Sequence, residues 1–310
     1  MSPADTLWGA ELQECFGPPN NFLGLESPEA DFATARAVIL PAPYDGTTTY
    51  QPGTRLGPRA IIHASRELET YDEEVCTEAC SRGIATLEEL AVTVASPREM
   101  VERVRKVGAR LLDLGKLPVL IGGEHLASLG MLEAMAERWP GFTILHFDAH
   151  SDLRDEYQGS GYSNACVMRR AIEHCTPSLV QVGIRALTME EHEFIREREI
   201  PCYFAYRLWQ EPGLWDQILN DAGPNVYVSF DLDAFDPSIM PSVGTPEPGG
   251  IGWYEVLRIL KRTAETKNII GFDVMELLPT PGVAAPDLLA ARLIYKLLSY
   301  IFLDIPKASV

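Results

Sequence analysis

The sequence predicts an α/β chain in three layers, with a central, mostly parallel sheet of about eight strands covered by helices on both faces. Two observations carry this. Strand-like apolar runs at 37–40, 117–121, 142–147, 179–184, 201–204, 225–230 and 269–274 alternate with helical patterns, the arrangement expected of parallel strands joined by crossover helices. At 310 residues, with 46% hydrophobic and 23% charged residues, the chain can bury a large core. No internal repeat, low-complexity tract or linker interrupts the pattern, so 36–310 reads as one domain preceded by an arm at 1–35.

In chain order, the arm contains Pro18-Pro19-Asn20-Asn21 and no sustained period, and reads as a segment draped on the body or on a neighbouring subunit. Ala37–Leu40 is the first buried strand. A turn-rich, Thr-rich loop through Gly57 follows, leading to a helix near Pro58–Leu68, and long loops after strands tend to carry function. Ser96-Pro97-Arg98-Glu99 starts the next helix, with Ser96 as N-cap and Glu99 completing a capping box before Val101, Val104 and Leu111. Later helical patterns lie near 126–138, 165–174, 188–199, 253–266 and 285–302.

Three strand-like runs end in potential ligands. Leu117–Ile121 runs into Gly122-Gly123-Glu124-His125. Thr143–Phe147 runs into Asp148-Ala149-His150-Ser151-Asp152, where alternation along an extended segment puts Asp148, His150 and Asp152 on one side. Val226–Phe230 runs into Asp231-Leu232-Asp233. In an open parallel sheet such groups gather at the carboxyl ends of the strands and can converge from distant positions. Spacing alone leaves capping of turns and helices as open as metal ligation; recurrence on two strand ends favours ligation. Two His and four Asp suit a two-metal cluster, with ions roughly 3.5–4 Å apart. A donor set without thiolate favours manganese over zinc.

Gly-Gly-Glu-His at 122–125, Asp-Ala-His-Ser-Asp at 148–152 and Ser-Phe-Asp-Leu-Asp-Ala-Phe-Asp-Pro at 229–237 resemble the three signatures of the ureohydrolase family, the arginases, agmatinases and related guanidino hydrolases. Pro52–Arg59 and Gly271–Glu276 are similar to its early loop and last active-site strand. The resemblance implies an arginase-like fold, two Mn2+ per subunit, and a homotrimer or homohexamer. It implies Asp148 and Asp231 as bridging ligands, with His125 and Asp152 completing one ion and His150 and Asp233 the other. The activity it implies is hydrolysis of a guanidino group by a metal-bridging hydroxide, agmatine to putrescine and urea first among the candidates. Arginine, guanidinobutyrate and guanidine are the alternatives, as is a metal-binding paralogue without turnover. In this reading Asp152 also moves the proton and Glu276 anchors the guanidinium. Asn164 stands where the resemblance implies a His in many family members, shuttling protons or contacting substrate; Asn cannot titrate, so either a neighbouring group relays protons, or substrate positioning by Asn164 replaces shuttling, or the chain is a poor catalyst. Arg154, Asp155, Glu156 and Tyr157 are expected at the mouth of the site, with Tyr157 against the substrate.

His63, His174 and His192 lie on predicted helices without an acidic partner at ligand spacing and read as structural; His146 reads either as a group orienting a ligand or as core, core being preferred. Six cysteines without a Cys-x-x-Cys pair read as reduced thiols. A net charge of −18 disfavours nucleic acid and suits a small cationic substrate, although solubility alone also accounts for it. No apolar run approaches the roughly 20 residues of a membrane span, and Met1–Asp5 lacks a basic start, so the expected location is the cytoplasm, away from the membrane.

Overall fold

A computed structural model describes residues 15–303. Its strands are β1 (Ala37–Ala42), β2 (Ile84–Thr86), β3 (Leu117–Gly122), β4 (Thr143–Phe147), β5 (Leu179–Ile184), β6 (Cys202–Phe204), β7 (Asn225–Asp231) and β8 (Asn268–Met275). They form one sheet in the order β2-β1-β3-β8-β7-β4-β5-β6, every pairing parallel. The helices are α1 (Gly57–Ser65), α2 (Pro97–Asp113), α3 (Ala127–Arg138), α4 (Val167–His174), α5 (Met189–Glu197), α6 (Ala205–Gln210), α7 (Leu214–Asp221), α8 (Trp253–Thr266) and α9 (Ala285–Ile301).

Adjacent residues in the strands serve opposite layers. Ile39, Ile121, Leu145, Val180 and Val228 pack with Ile61 of α1, Trp215 of α7, Leu260 of α8 and Ile294 of α9. Their neighbours Leu40, Leu120, Ile144, Leu179 and Tyr227 pack with Val104 of α2, Leu132 of α3, Met168 of α4 and Ile195 of α5. A strand buried on both faces must be apolar at every position, which is why these runs read as unbroken stretches. Each such side chain contributes about 1.5–3 kcal/mol by leaving water.

Several local expectations change. Ser96 caps α2, accepting from the Glu99 N–H at 3.1 Å, but the Glu99 carboxylate turns to Arg103 instead of closing the box. The reciprocal box sits on α5, between Thr188 and Glu191. β2 has only three residues, too short to read as a run, and α6 and α7 fall between 205 and 224, where Pro212-Gly213 splits the periodicity. Residues 1–14 of the expected arm lie outside the described residues. Phe22 and Leu23 are buried, their N–H groups held by Thr86 and Ser65, so this part of the arm lies on the body. No described helix is long and apolar enough to cross a membrane.

β3 and β4 are consecutive in the chain, yet β8 and β7 lie between them in the sheet. That reversal opens a crevice at the carboxyl ends of four adjacent strands.

Candidate metal centre

The four strand ends deliver their polar residues by different local devices. After β3, the Gly123 N–H donates to Ala42 and the Glu124 N–H to Tyr44. The approach is so close that a Cβ on Gly123 would lie 2.1 Å from the Tyr44 carbonyl oxygen, so glycine is required. The chain then turns inward and buries His125. β4 ends at Phe147, so Asp148, His150 and Asp152 lie beyond the strand. Strand alternation does not align them. A turn does, with Asp152 at φ +54°, a left-handed conformation that costs a β-carbon residue of order 1 kcal/mol or more. Asp231 closes β7, and a 3-10 turn brings Asp233 back, its N–H donating to the Asp231 carboxylate at 2.9 Å. After β8, Glu276 is also left-handed, at φ +67°.

These residues converge. His125 Nδ1 lies 3.2 Å from Asp148 Oδ2, 3.3 Å from Asp231 Oδ2 and 3.4 Å from Asp152 Oδ2. His150 Nδ1 lies 2.9 Å from Asp233 Oδ2 and 3.6 Å from Asp148 Oδ1. Asp148 therefore presents one oxygen to each imidazole. Among the described residues, His125, His146, Asp148 and Asp152 offer ligand atoms within 4.8 Å of one another, as do Asp148, His150 and Asp233.

The surrounding hydrogen bonds decide what this cluster can hold. Ser229 donates its hydroxyl to Asp273, so its oxygen accepts from His125 Nε2 at 2.9 Å. That leaves His125 Nδ1 with its lone pair aimed at three carboxylates, buried and making no hydrogen bond. A cation among these atoms gives every one of them a partner. A metal therefore fits this donor set.

Without an ion, protons take up the charge. Burial opposes ionisation of Asp148, yet the imidazoles packed against it, His146 first and then His125 and His150, hold it well below the usual carboxylate range. Burial, then the charge of Asp148, pushes Asp152 up to about 6. Burial, Asp233 and Asp148 push Asp231 well above its ordinary value. Burial alone would lower His150, but Asp233 and Asp148 raise it to about 12.

His146, expected first as core, takes the other of its two readings. It is buried, as a core histidine would be, yet its Nε2 lies 2.9 Å from Asp148 Oδ2. Gln181 donates to the Ser151 carbonyl at 2.7 Å and to His146 Nδ1 at 3.1 Å, which leaves the His146 proton on Nε2, pointing at Asp148. Glu191 was missed. Besides capping α5, it accepts from Ser151 Oγ and the Leu153 N–H, fixing the turn around Asp152. The glutamate three residues after Thr188 was the visible signal for the cap; nothing signalled the second role.

A cavity of about 300 Å³ opens over the cluster, and His150, Asp152, Asp231, Glu276, Asn164 and Tyr157 all line it. Glu276 Oε1 accepts from the His125 N–H at 2.8 Å, and burial followed by the charge of Glu124 pushes its carboxyl up to about 8. Asn164 spends Oδ1 on the Ala165 N–H at 2.9 Å and its own N–H on Thr47. Tyr157 lies under the Arg154 guanidinium at 4.9 Å. His63, His174 and His192 lie on α1, α4 and α5, outside the cluster.

The family model for the arginase family matches residues 35–299. The chain belongs to the arginase family. It is 41% identical over 290 residues to the N(1)-aminopropylagmatine ureohydrolase of Synechocystis sp., covering 91% of this chain and 94% of that one. It is 34% identical over 274 residues to the agmatinase of Pyrococcus horikoshii, covering 87% and 94%. Among solved structures, the agmatine ureohydrolase of Thermoplasma volcanium superposes with a TM-score of 0.83 at 27% identity, over 94% of this chain and 97% of that one. This arginase-family chain is thus a ureohydrolase acting on C–N bonds of amidines, in a family that depends on two metal ions.

Proposed function

We propose that the chain releases urea from a guanidino compound carrying a distal amine, using two divalent ions, with manganese the best fit to the donor set. The expectation of agmatine broadens here. Relatives at 38–41% identity are named for N(1)-aminopropylagmatine, so that compound, which would leave spermidine, stands ahead of agmatine, which would leave putrescine. The observation that carries the reading is His125 Nδ1, unpaired amid three carboxylates beside a cavity lined by Glu276.

Asp148 and Asp231 would be shared between the ions, with His125 and Asp152 at one and His150 and Asp233 at the other. When bound, the ions supply a water acidic enough to be a nucleophile near neutral pH. Glu276 meets the guanidinium as a carboxylate, a planar, charge-assisted pairing that also draws its raised pKa back down. Asp152, in both cluster and cavity, takes a proton and returns one to the leaving amine. Asn164 cannot titrate, so it contributes substrate contact through its amide, as Tyr157 does through its ring and hydroxyl.

The test is urea release by manganese-loaded protein from N(1)-aminopropylagmatine, agmatine, arginine and 4-guanidinobutyrate. The first two should be split fastest. Faster turnover of arginine or 4-guanidinobutyrate would reject this substrate class.

A further inference from the structure

Five carboxylates line the cavity, those of Asp152, Glu191, Asp231, Glu247 and Glu276. Four are already committed. Asp152 and Asp231 face His125, Glu276 holds the His125 N–H, and Glu191 takes bonds from Ser151, Leu153 and Thr188. The Glu247 carboxylate, half-buried, accepts no hydrogen bond from a described residue.

Its backbone is nonetheless held firmly. Pro246 and Pro248 flank it, each with a fixed φ. Arg185 donates to the Glu247 carbonyl at 2.8 and 3.2 Å, to Pro248 at 3.1 Å and to Asp233 at 2.7 Å. The Arg185 guanidinium feels the Glu247 charge, but its N–H groups are spent on backbone carbonyls. One strut therefore fixes the Asp233 turn and the Glu247 loop together. A rigid, unpaired carboxylate facing a cavity is a recognition element for a cation.

We infer that Glu247 receives the ammonium at the far end of the substrate, and so selects guanidino compounds with a cationic tail over neutral or anionic ones. This rests on the function proposed above. Arg154, stacked on Tyr157 in the same lining, is the group that would favour an anionic tail, so 4-guanidinobutyrate is the discriminating comparator.

The experiment measures kcat and KM of the metal-loaded wild type, Glu247→Gln and Glu247→Lys with agmatine, N(1)-aminopropylagmatine, 1-butylguanidine and 4-guanidinobutyrate. Metal content and Tm are measured on each variant. Glu247→Gln should raise KM for the two amine substrates about tenfold, with kcat and the neutral butylguanidine little changed. Glu247→Lys should shift preference toward 4-guanidinobutyrate. Equal losses on butylguanidine and agmatine, no loss on either, or wild-type preference for 4-guanidinobutyrate overturns the assignment while leaving a guanidino hydrolase. Urea from none of the four with the wild type overturns the proposed function and this inference with it.

Discussion

At the scale of single residues, the roles divide between holding charge and placing it. Asp148 offers an oxygen to each imidazole, and Asp231 faces His125 with one oxygen while the other accepts from Asp233. Asp231→Asn removes a negative charge from the centre of the cluster, so metal per chain and kcat should fall together; full metal content at an unchanged rate would show that Asp231 is not a bridging ligand. Glu276→Gln removes charge from the guanidinium partner while its amide oxygen still accepts from the His125 N–H, so metal content should hold and kcat/KM should drop about a hundredfold. Equal loss of metal would make Glu276 structural. The candidate ligand residues were legible in the sequence because short, polar motifs ended apolar runs. The residues that orient them were not, because Gln181, Ser229 and Asp273 act across strands, and which strands adjoin is a property of the sheet.

At the scale of elements, the site depends on turns that cost energy and on caps that repay it. Glu191 joins two jobs, closing the box on α5 and fixing the Ser151–Leu153 turn in which Asp152 is left-handed. Glu191→Ala should cost about 1 kcal/mol or more of stability through the lost cap, and should also weaken metal binding in an equilibrium titration. A variant destabilised with unchanged metal affinity would show that the cap and the Asp152 turn are independent. Runs such as Ala37–Leu40 and Ile269–Met275 announced buried strands by composition. Only the segment after Thr143–Phe147 was misread as extended, because alternation and a left-handed turn can bring the same spacing of residues to one side.

At the scale of the molecule, the parallel sheet gathers four aspartates into one crevice, and pH decides how their charge is compensated. A carboxyl whose pKa is raised on folding binds its proton more tightly in the folded chain, so its contribution to stability is present at low pH and is lost as pH climbs to the folded value. Asp152 at about 6 and Glu276 at about 8 both have this sign. The metal-free chain should therefore lose Tm between about pH 4 and 8. Ions must displace the protons on His125 and His150, both raised by neighbouring carboxylates, so binding should release protons and strengthen with pH. A Tm gain from manganese that is the same at pH 5.5 and pH 8 would contradict this linkage. Catalysis should need both halves of the cluster, the one around His125 and the one around His150. The most direct test is titration of the metal-free chain with manganese while urea release from N(1)-aminopropylagmatine and agmatine is followed. Activity should rise until two ions are bound per chain; full activity at one ion per chain, or without metal, would show that one half of the cluster, or neither, is needed.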